Sequence, residues 1–194
     1  MSKSRIWCDS GMDNNPSMVT VSGLPGSGTT TVCGVLQRHL GWVYLNAGAI
    51  FRQLAAEAGL DLATYGRRAE LDGSIDCRLD ARMVAMARQE GHAILEGRLT
   101  GWMAKRHQLP ALRCWVDAPI SVRAARVSQR DQQPLDEAIT GMQQREASEA
   151  QRYKAFHSID ITEYSVYHVV LDSEHRSADQ IADHIISCLR EAGA

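Results

Sequence analysis

The stretch SGLPGSGTTT, Ser22 to Thr31, has the residue types and spacing of a loop that binds phosphate. It follows the apolar run MVTV and precedes a segment with helical periodicity, which is the context that such a loop requires. Glycines let backbone N–H groups point at phosphate oxygens, and a lysine reaches the terminal phosphates. Gly23, Gly26 and Gly28 fall at the expected positions. Thr29, however, stands where the lysine belongs, so the positive charge must come from elsewhere.

Arginines are the rich local source of that charge. Arg123, Arg126 and Arg130 are spaced i, i+3, i+7, which places them on one face of a helix. Arg145 and Arg152 are also seven residues apart. The sequence therefore predicts two helices that carry basic stripes.

The second stripe lies in the segment REASEAQRYK, Arg145 to Lys154, which follows the polar, proline-containing break DQQPLDEA. A helix after such a break is able to swing, so we predict a lid over bound phosphates at about residues 130–155. The alternative interpretation is a solvated helix face. Glu149, four residues after Arg145, favours that alternative.

The hydrophobic pattern predicts the scaffold that positions these residues. Short β-rich runs alternate with longer helical segments, which indicates an α/β three-layer sandwich with a five-stranded parallel sheet. The candidate strands are Met18–Ser22, Trp42–Leu45, His92–Glu96, Leu112–Val116 and Tyr167–Leu171. Gly41, Gly59 and Gly91 follow helical segments where a left-handed cap residue is wanted. Ser177 and Gln180 form a capping-box pattern that opens the last helix.

Two more arginines lie just beyond the predicted strands. The second strand is followed by NAGAIFR and the third by EGRLTGW, which contain Arg52 and Arg98. In an open parallel sheet, ligands bind beyond the carboxyl ends of the strands. An arginine there is able to grip a phosphate with two hydrogen bonds. We therefore predict a second phosphate site at Arg52 and Arg98.

Composition limits the class of protein. The 194 residues suffice for one domain that buries a core without disulfides or metals. The 21 Lys and Arg residues nearly balance 23 Asp and Glu residues, for a net charge of -2, so neither a nucleic-acid polymer nor a membrane is expected as a partner. No apolar run approaches the length of a membrane span or a signal peptide. The polar start predicts a flexible extension at 1–17 and one domain at 18–194.

The five cysteines are odd in number and widely spaced, and none belongs to a C-x-x-C pair. Such a distribution favours a reduced setting in which most thiols are buried and inert. A cytoplasmic monomer is expected.

Five stretches of the chain, in order, resemble one family. They are SGLPGSGTTT, NAGAIFR, LEGRLTGWM, APISVRAARV and REASEAQRYKAFHSIDI, and they extend from about Met18 to near the last helix. They are similar to the cytidylate kinases of the archaeal type, within the P-loop nucleoside monophosphate kinases. This branch commonly has threonine in place of the loop lysine, so the resemblance implies that Thr29 is compatible with an active enzyme.

The resemblance implies a binding role for each matching residue. The ATP phosphates would lie against the loop residues Gly23, Leu24, Pro25, Gly26, Ser27, Gly28, Thr29, Thr30 and Thr31. Within this set, the Thr30 hydroxyl would lie near Mg²⁺. The acceptor nucleotide would bind at Gly48, Phe51, Arg52, Gly97 and Arg98, with acceptor-binding helices at about residues 47–90.

The resemblance also implies the reaction, transfer of the γ-phosphoryl group of Mg-ATP to CMP or dCMP. Arg126 or Arg130, with Arg145 and Arg152, would surround the transferring group. Catalysis of phosphoryl transfer depends mainly on alignment of the reactants and on neutralisation of charge. An arginine placed at the transferring group raises the rate by a factor on the order of 10³ to 10⁵. We expect no dedicated general base; Glu96 or Asp117 would order magnesium and its waters.

Two features depart from the family pattern. One is the N-terminal extension; the other is the last strand, VYHVVLDS, where the family tends to have Asp at His168 and Asn near Asp172. The two positions of the last strand, His168 and Asp172, are expected to bear on the adenine pocket. Two alternatives stay open: a kinase for UMP, AMP or a small metabolite hydroxyl, and a regulator that binds nucleotide without turnover. Arg52 and Arg98 disfavour the regulator, because an ATP sensor needs no second phosphate site.

Overall fold

A six-stranded sheet forms the centre of the computed structural model, which describes residues 5–6 and 15–193. The strands are β1 (Arg5–Ile6), β2 (Met18–Gly23), β3 (Val43–Asn46), β4 (Ala93–Glu96), β5 (Ala111–Asp117) and β6 (Val169–Asp172). Their order is β1-β6-β5-β2-β4-β3, and β2 to β6 are parallel. The predicted five-stranded parallel sheet is confirmed, with strand bounds that differ by one or two residues.

The N-terminal segment adds one strand that the sequence did not predict. β1 pairs antiparallel with β6, in register Arg5 with Val170 and Ile6 with Val169. Further along, the Asn15 N–H donates to the carbonyl of Ala192 at 3.0 Å. Residues 1–4 and 7–14 lie outside the described part of the chain, so the flexibility of the extension stays a prediction.

Helices connect the strands and cover both faces of the sheet. They are α1 (Thr29–Leu40), α2 (Ala47–Glu57), α3 (Leu62–Leu71), α4 (Ser74–Glu90), α5 (Thr100–Arg106), α6 (Ile120–Asp131), α7 (Leu135–His157) and α8 (Ala178–Ala192). Gly41, Gly59 and Gly91 have φ of 67°, 68° and 72°, which confirms the predicted left-handed positions after helices. The capping box of Ser177 and Gln180 is also present at the start of α8.

Strand β2 separates two cores. Its Val19 and Val21 are fully buried in a cluster with residues of α1 and α8. Met18 is buried in a second cluster with residues of α2, α4 and α5. Burial on both faces is typical of a central parallel strand, and the polar Thr20 and Ser22 of β2 are buried together with its apolar residues.

Helix α7 is anchored at both ends. Near its start, Ala138 and Met142 pack with Ala124 and Val127 of α6. Near its end, Tyr153 belongs to a buried cluster that contains Trp115 of β5. The predicted lid segment, about residues 130–155, therefore contains the end of α6, the connection at 132–134 and most of one 23-residue helix, which begins directly after Pro134.

No helix in the described ranges has both the length and the apolar character to cross a membrane. The cysteines of these ranges are free thiols; Cys33 and Cys114 are buried, Cys188 is half-buried and Cys77 is exposed. Burial raises the pKa of Cys33 and Cys114 well above the ordinary value. Cys33 and Cys114 therefore fit the expectation of buried, inert thiols, but the exposed Cys77 does not. Cys8 lies outside the described residues.

Candidate active site

A cleft of about 880 Å³ opens at the carboxyl ends of β2, β3 and β4. The glycine loop, the start of α2, the residues after β4, one face of α4 and one face of α7 line it. Predicted site residues in its wall are Gly23, Leu24, Pro25, Gly26, Thr29, Thr30, Gly48, Phe51, Arg52, Gly97, Arg98, Arg130, Arg145 and Arg152. Ser27, Gly28, Thr31 and Arg126 do not belong to this lining.

The loop after β2 has the backbone shape of an anion site. Gly26 and Gly28 have φ of 78° and 93°, a left-handed conformation that residues with a side chain rarely adopt. A Cβ on Gly26 would also lie 2.6 Å from the carbonyl oxygen of Arg123. Gly28 caps α1 without a side-chain hydrogen bond, so the first-turn N–H groups of α1 are left to bind an anion.

Two arginines of α6 hold the outer side of this loop. Arg123 Nη1 donates to the carbonyl of Pro25 at 3.1 Å, and Arg126 Nη1 donates to that of Gly26 at 3.3 Å. A trans peptide points its N–H away from its C=O, so carbonyls held on the α6 side direct the following N–H groups away from α6. Arg126 also donates to the Ser173 carbonyl at 2.5 Å.

The three arginines of α6 therefore occupy two different positions relative to the glycine loop. Arg123 and Arg126 support the loop from outside, whereas Arg130 lines the cleft. Spacing alone left Arg126 and Arg130 as equal candidates for a cation near the transferring group. The observed placement favours Arg130, and the role itself remains a prediction.

Glu96 lies at the end of β4 and is almost fully buried. Its Oε1 accepts hydrogen bonds of 2.7 Å from the hydroxyls of both Thr29 and Thr30. Its Oε2 accepts from Tyr44 and Asn46. Of the two predicted acidic residues, Glu96 lines the cleft and Asp117 does not. Burial and the bond to Glu96 raise the pKa of the Tyr44 hydroxyl, so that it stays a donor.

Glu149 joins two of the predicted phosphate ligands. Its Oε2 accepts from Arg98 Nε at 3.0 Å, and its Oε1 accepts from Arg145 Nε at 2.8 Å. Arg98 Nη1 also donates to the Gly23 carbonyl at 2.7 Å. Burial alone would raise the pKa of Glu149, but the charges of Arg98 and Arg145 outweigh burial and lower it. The solvated-face interpretation is wrong for Glu149, which is only 8% exposed.

Arg52 differs from Arg98 in its surroundings. It lines the cleft from α2 and is exposed. Within residues 15–193 it has no ion pair or side-chain hydrogen bond. The guanidinium of Arg52 is therefore available to an anionic ligand without first leaving a protein partner.

The sequence analysis missed a second group of charges in the cleft, at the start of α4. Asp76 is 4% exposed, and its Oδ2 lies 3.0 Å from Arg152 Nε and 3.7 Å from His157 Nε2. Asp80 lines the cleft one helical turn further on. The spacing of Asp76 and Asp80 in SIDCRLD was the available signal, but an acidic pair at i, i+4 is also typical of a solvated helix.

His168 lies away from the cleft. It precedes β6, at the amino end of the strand, and its Nδ1 accepts a 3.1 Å hydrogen bond from the Arg113 N–H. It is 4% exposed. His168 therefore lies at the opposite end of β6 from the carboxyl edge of the sheet, and an influence on the adenine pocket stays a prediction.

The parallel sheet and the glycine loop that precedes α1 are those of a P-loop phosphotransferase. Residues 18–175 match the sequence profile of the cytidylate kinase-like family, and the chain belongs to this family. It is 44% identical to the cytidylate kinase of Methanococcoides burtonii over 177 residues, which cover 91% of this chain and 99% of that protein. It is 41% identical to the cytidylate kinase of Methanoregula boonei over 172 residues, with coverage of 88% and 93%.

A solved structure agrees at the level of the fold. The chain superposes on a gluconokinase from Sinorhizobium meliloti with a TM-score of 0.60, covering 93% of this chain and 95% of the other. Sequence identity is only 12%, so this likeness extends to the architecture alone.

Proposed function

We propose that this protein is a cytidylate kinase that transfers the γ-phosphoryl group of ATP to CMP or dCMP. The observation that carries the proposal is a single cleft lined both by the glycine loop and by two arginines, Arg52 and Arg98. The loop and the start of α1 would bind one phosphate group, and Arg52 with Arg98 would bind another. Family membership supports cytidine monophosphate as the acceptor over UMP, AMP or a small metabolite.

The residues present fit a magnesium ion. The Thr30 hydroxyl and the Glu96 carboxylate lie 2.7 Å apart at the mouth of the loop, and hard oxygen ligands of this kind are those that Mg²⁺ prefers. Thr30 and Glu96 would hold the ion, Thr30 directly and Glu96 through water. When bound, the ion would neutralise charge on the phosphates of ATP.

The chain's own residues would align the reactants. Backbone N–H groups of the loop and of α1 would hold the donor phosphates, and Arg52 and Arg98 would fix the acceptor phosphate opposite them. Arg130, Arg145 and Arg152 would bring positive charge to the transferring group, where electrostatic stabilisation lowers the barrier most. The face of α7 that lines the cleft would shield the reacting groups from water.

A coupled assay of nucleoside monophosphates with Mg-ATP tests the proposal. We expect CMP and dCMP to have the highest kcat/KM. Faster turnover of UMP or AMP would reassign the acceptor, and ATP binding without any turnover would indicate a regulator. Gel filtration and fractionation test the accompanying expectation of a cytoplasmic monomer.

A further inference from the structure

Helix α4 presents one face to the acceptor side of the cleft. Asp76, Leu79, Asp80 and Met83 are spaced i, i+3, i+4, i+7, and all four line the cleft. Phe51 of α2 lines it as well and packs on the cluster that contains Ile75, the neighbour of Asp76. This part of the cleft therefore combines apolar walls, which suit a flat base, with two carboxylates.

The two carboxylates have different surroundings. Asp76 is buried against Arg152 and His157, as described above. Asp80 has no hydrogen bond or ion pair with any residue in the ranges 5–6 and 15–193. The pKa of Asp80 is raised to about 6, chiefly by burial and also by the Asp76 charge, while the charges of His157 and Arg106 oppose the change. A partly desolvated carboxylate oxygen without a hydrogen-bond donor costs free energy in the unliganded protein. A ligand that donates a hydrogen bond to it therefore binds more tightly.

We propose that Asp80 selects the base of the acceptor nucleotide by accepting a hydrogen bond from the exocyclic amino group of cytosine. Carboxylates accept from this amino group in nucleic-acid recognition as well. Uracil carries an oxo group at the same place, so its oxygen would face a carboxylate oxygen with no hydrogen between them. The inference rests on the proposed function and names the residue that enforces its base preference.

Asp80 suits this role better than Asp76. Asp76 already faces a guanidinium, and its removal from Arg152 would leave a buried charge unpaired. Asp80 has no such partner to give up. A half-buried carboxylate that needs a hydrogen-bond donor discriminates strongly against a base, such as uracil, that offers none at that place.

The charges that face Asp80 predict how the selection depends on pH. They are Asp76 on its own helix, His157 of α7 and Arg106 of α5. Above the pKa of Asp80 the carboxylate only accepts, and CMP is preferred. As pH falls through about 6, protonated Asp80 donates to the uracil oxo group and the preference weakens. The phosphates of CMP and UMP titrate alike near this pH, so the ratio of the two kcat/KM values isolates the base.

The test compares kcat/KM for CMP and for UMP at pH 5.5 and pH 7.5 in three proteins: the unaltered chain, Asp80→Asn and Asp183→Asn. An asparagine amide donates or accepts by rotation, so Asp80→Asn is expected to lower the preference for CMP at least tenfold, through better use of UMP, and to remove its pH dependence. Asp183 is an exposed carboxylate on α8 outside the cleft and serves as the matched control. Asp183→Asn should retain the preference.

Asp80→Ser provides a second variant in case the amide perturbs folding, since a hydroxyl also donates and accepts. An unchanged ratio in both Asp80 variants, or an equal loss for both nucleotides, would overturn the proposal. Failure of the proposed function has a different signature, because the unaltered chain would then phosphorylate neither CMP nor dCMP.

Discussion

Thr29 Oγ1 donates a 2.7 Å hydrogen bond to Oε1 of Glu96, which joins the first residue of α1 to the end of β4. A lysine at this position would place an ammonium group beside that carboxylate. The neutral hydroxyl instead leaves the loop without a cation of its own. We therefore propose that the arginines of the cleft, together with the metal ion, supply the positive charge at the transferring phosphoryl group.

Arg145→Ala is expected to lower kcat at least roughly a hundredfold, in line with arginines that act mainly on the transition state. The Arg145 side chain is 62% exposed and Glu149 keeps Arg98 as a partner, so the free energy of unfolding should fall less than in Arg152→Ala. Thr29→Ala should cost only about 1 kcal/mol in activation free energy, because Glu96 keeps its other donors. Steady-state kinetics of the two variants measures both effects. If Thr29→Ala abolishes turnover while Arg145→Ala keeps nearly normal kcat, the arginines do not compensate for the missing lysine.

Arg152→Ala is expected to lower kcat by a similar factor and also to destabilise the fold. Its removal leaves the buried Asp76 carboxylate without its guanidinium partner, at a cost of about 3–5 kcal/mol. Urea denaturation measures this difference. Arg145→Ala is the matched control, and equal stability of the two variants would contradict the role given to the Arg152–Asp76 pair.

Arg52→Ala is expected to raise KM for CMP strongly, while KM for ATP and the melting temperature stay nearly constant, because Arg52 has no partner in the described residues. Arg98→Ala should raise KM for CMP too, but with lower stability, since Arg98 bonds Glu149 and the loop carbonyl of Gly23. Arg38→Ala, an exposed arginine near the end of α1, is the control. Unchanged CMP binding by calorimetry in both variants would show that the acceptor phosphate lies elsewhere.

Glu149→Gln is expected to lower the free energy of unfolding by about 1–3 kcal/mol at pH 7, the usual size for hydrogen bonds to a charged group. Because the folded pKa of Glu149 is lowered, its contribution is complete above the unfolded value and is lost as pH falls through the folded one. The difference from the unaltered chain should therefore shrink toward pH 3. Glu57→Gln, which removes the exposed partner of Arg82, should change stability by less than about 1 kcal/mol. If the stability difference between Glu149→Gln and the unaltered chain does not vary with pH, the ion pairs of Glu149 with Arg98 and Arg145 do not contribute as proposed.

A chain that begins at Met18 is expected to fold and to retain kcat/KM within about twofold, since a two-residue edge strand contributes little by itself. The lost pairing with β6 and the lost bond from Asn15 should lower the melting temperature by a few degrees. Thermal unfolding and the CMP assay measure both quantities. Aggregation or loss of most activity would show that the N-terminal segment is essential.

The parts that sequence predicted depend on local chemistry. Apolar runs set the parallel strands, Gly41, Gly59 and Gly91 set helix ends, and the glycine loop needs only its own backbone. The parts it missed depend on contacts between distant residues. Glu149 seemed solvated because only its neighbour Arg145 was visible, whereas Arg98 lies 51 positions away. Asp80 could not be recognised either. Its lack of a hydrogen-bond or ion-pair partner depends on which groups of α5 and α7 fold against α4, and those groups are distant in sequence.

Water competes with CMP for the γ-phosphoryl group of ATP, and the continuity of α7 bears on this side reaction. A 23-residue helix is a rod about 34 Å long. This helix carries Arg145, for which we propose a role in transfer, and Ser148, whose hydroxyl donates a 2.7 Å hydrogen bond to Glu70 of α3. Because one continuous helix carries both residues, a change on the acceptor side at Ser148 is transmitted to Arg145. We therefore expect that an acceptor bound near Glu70 adjusts the position of Arg145, so that ATP bound alone is hydrolysed slowly and little ATP is lost in futile turnover.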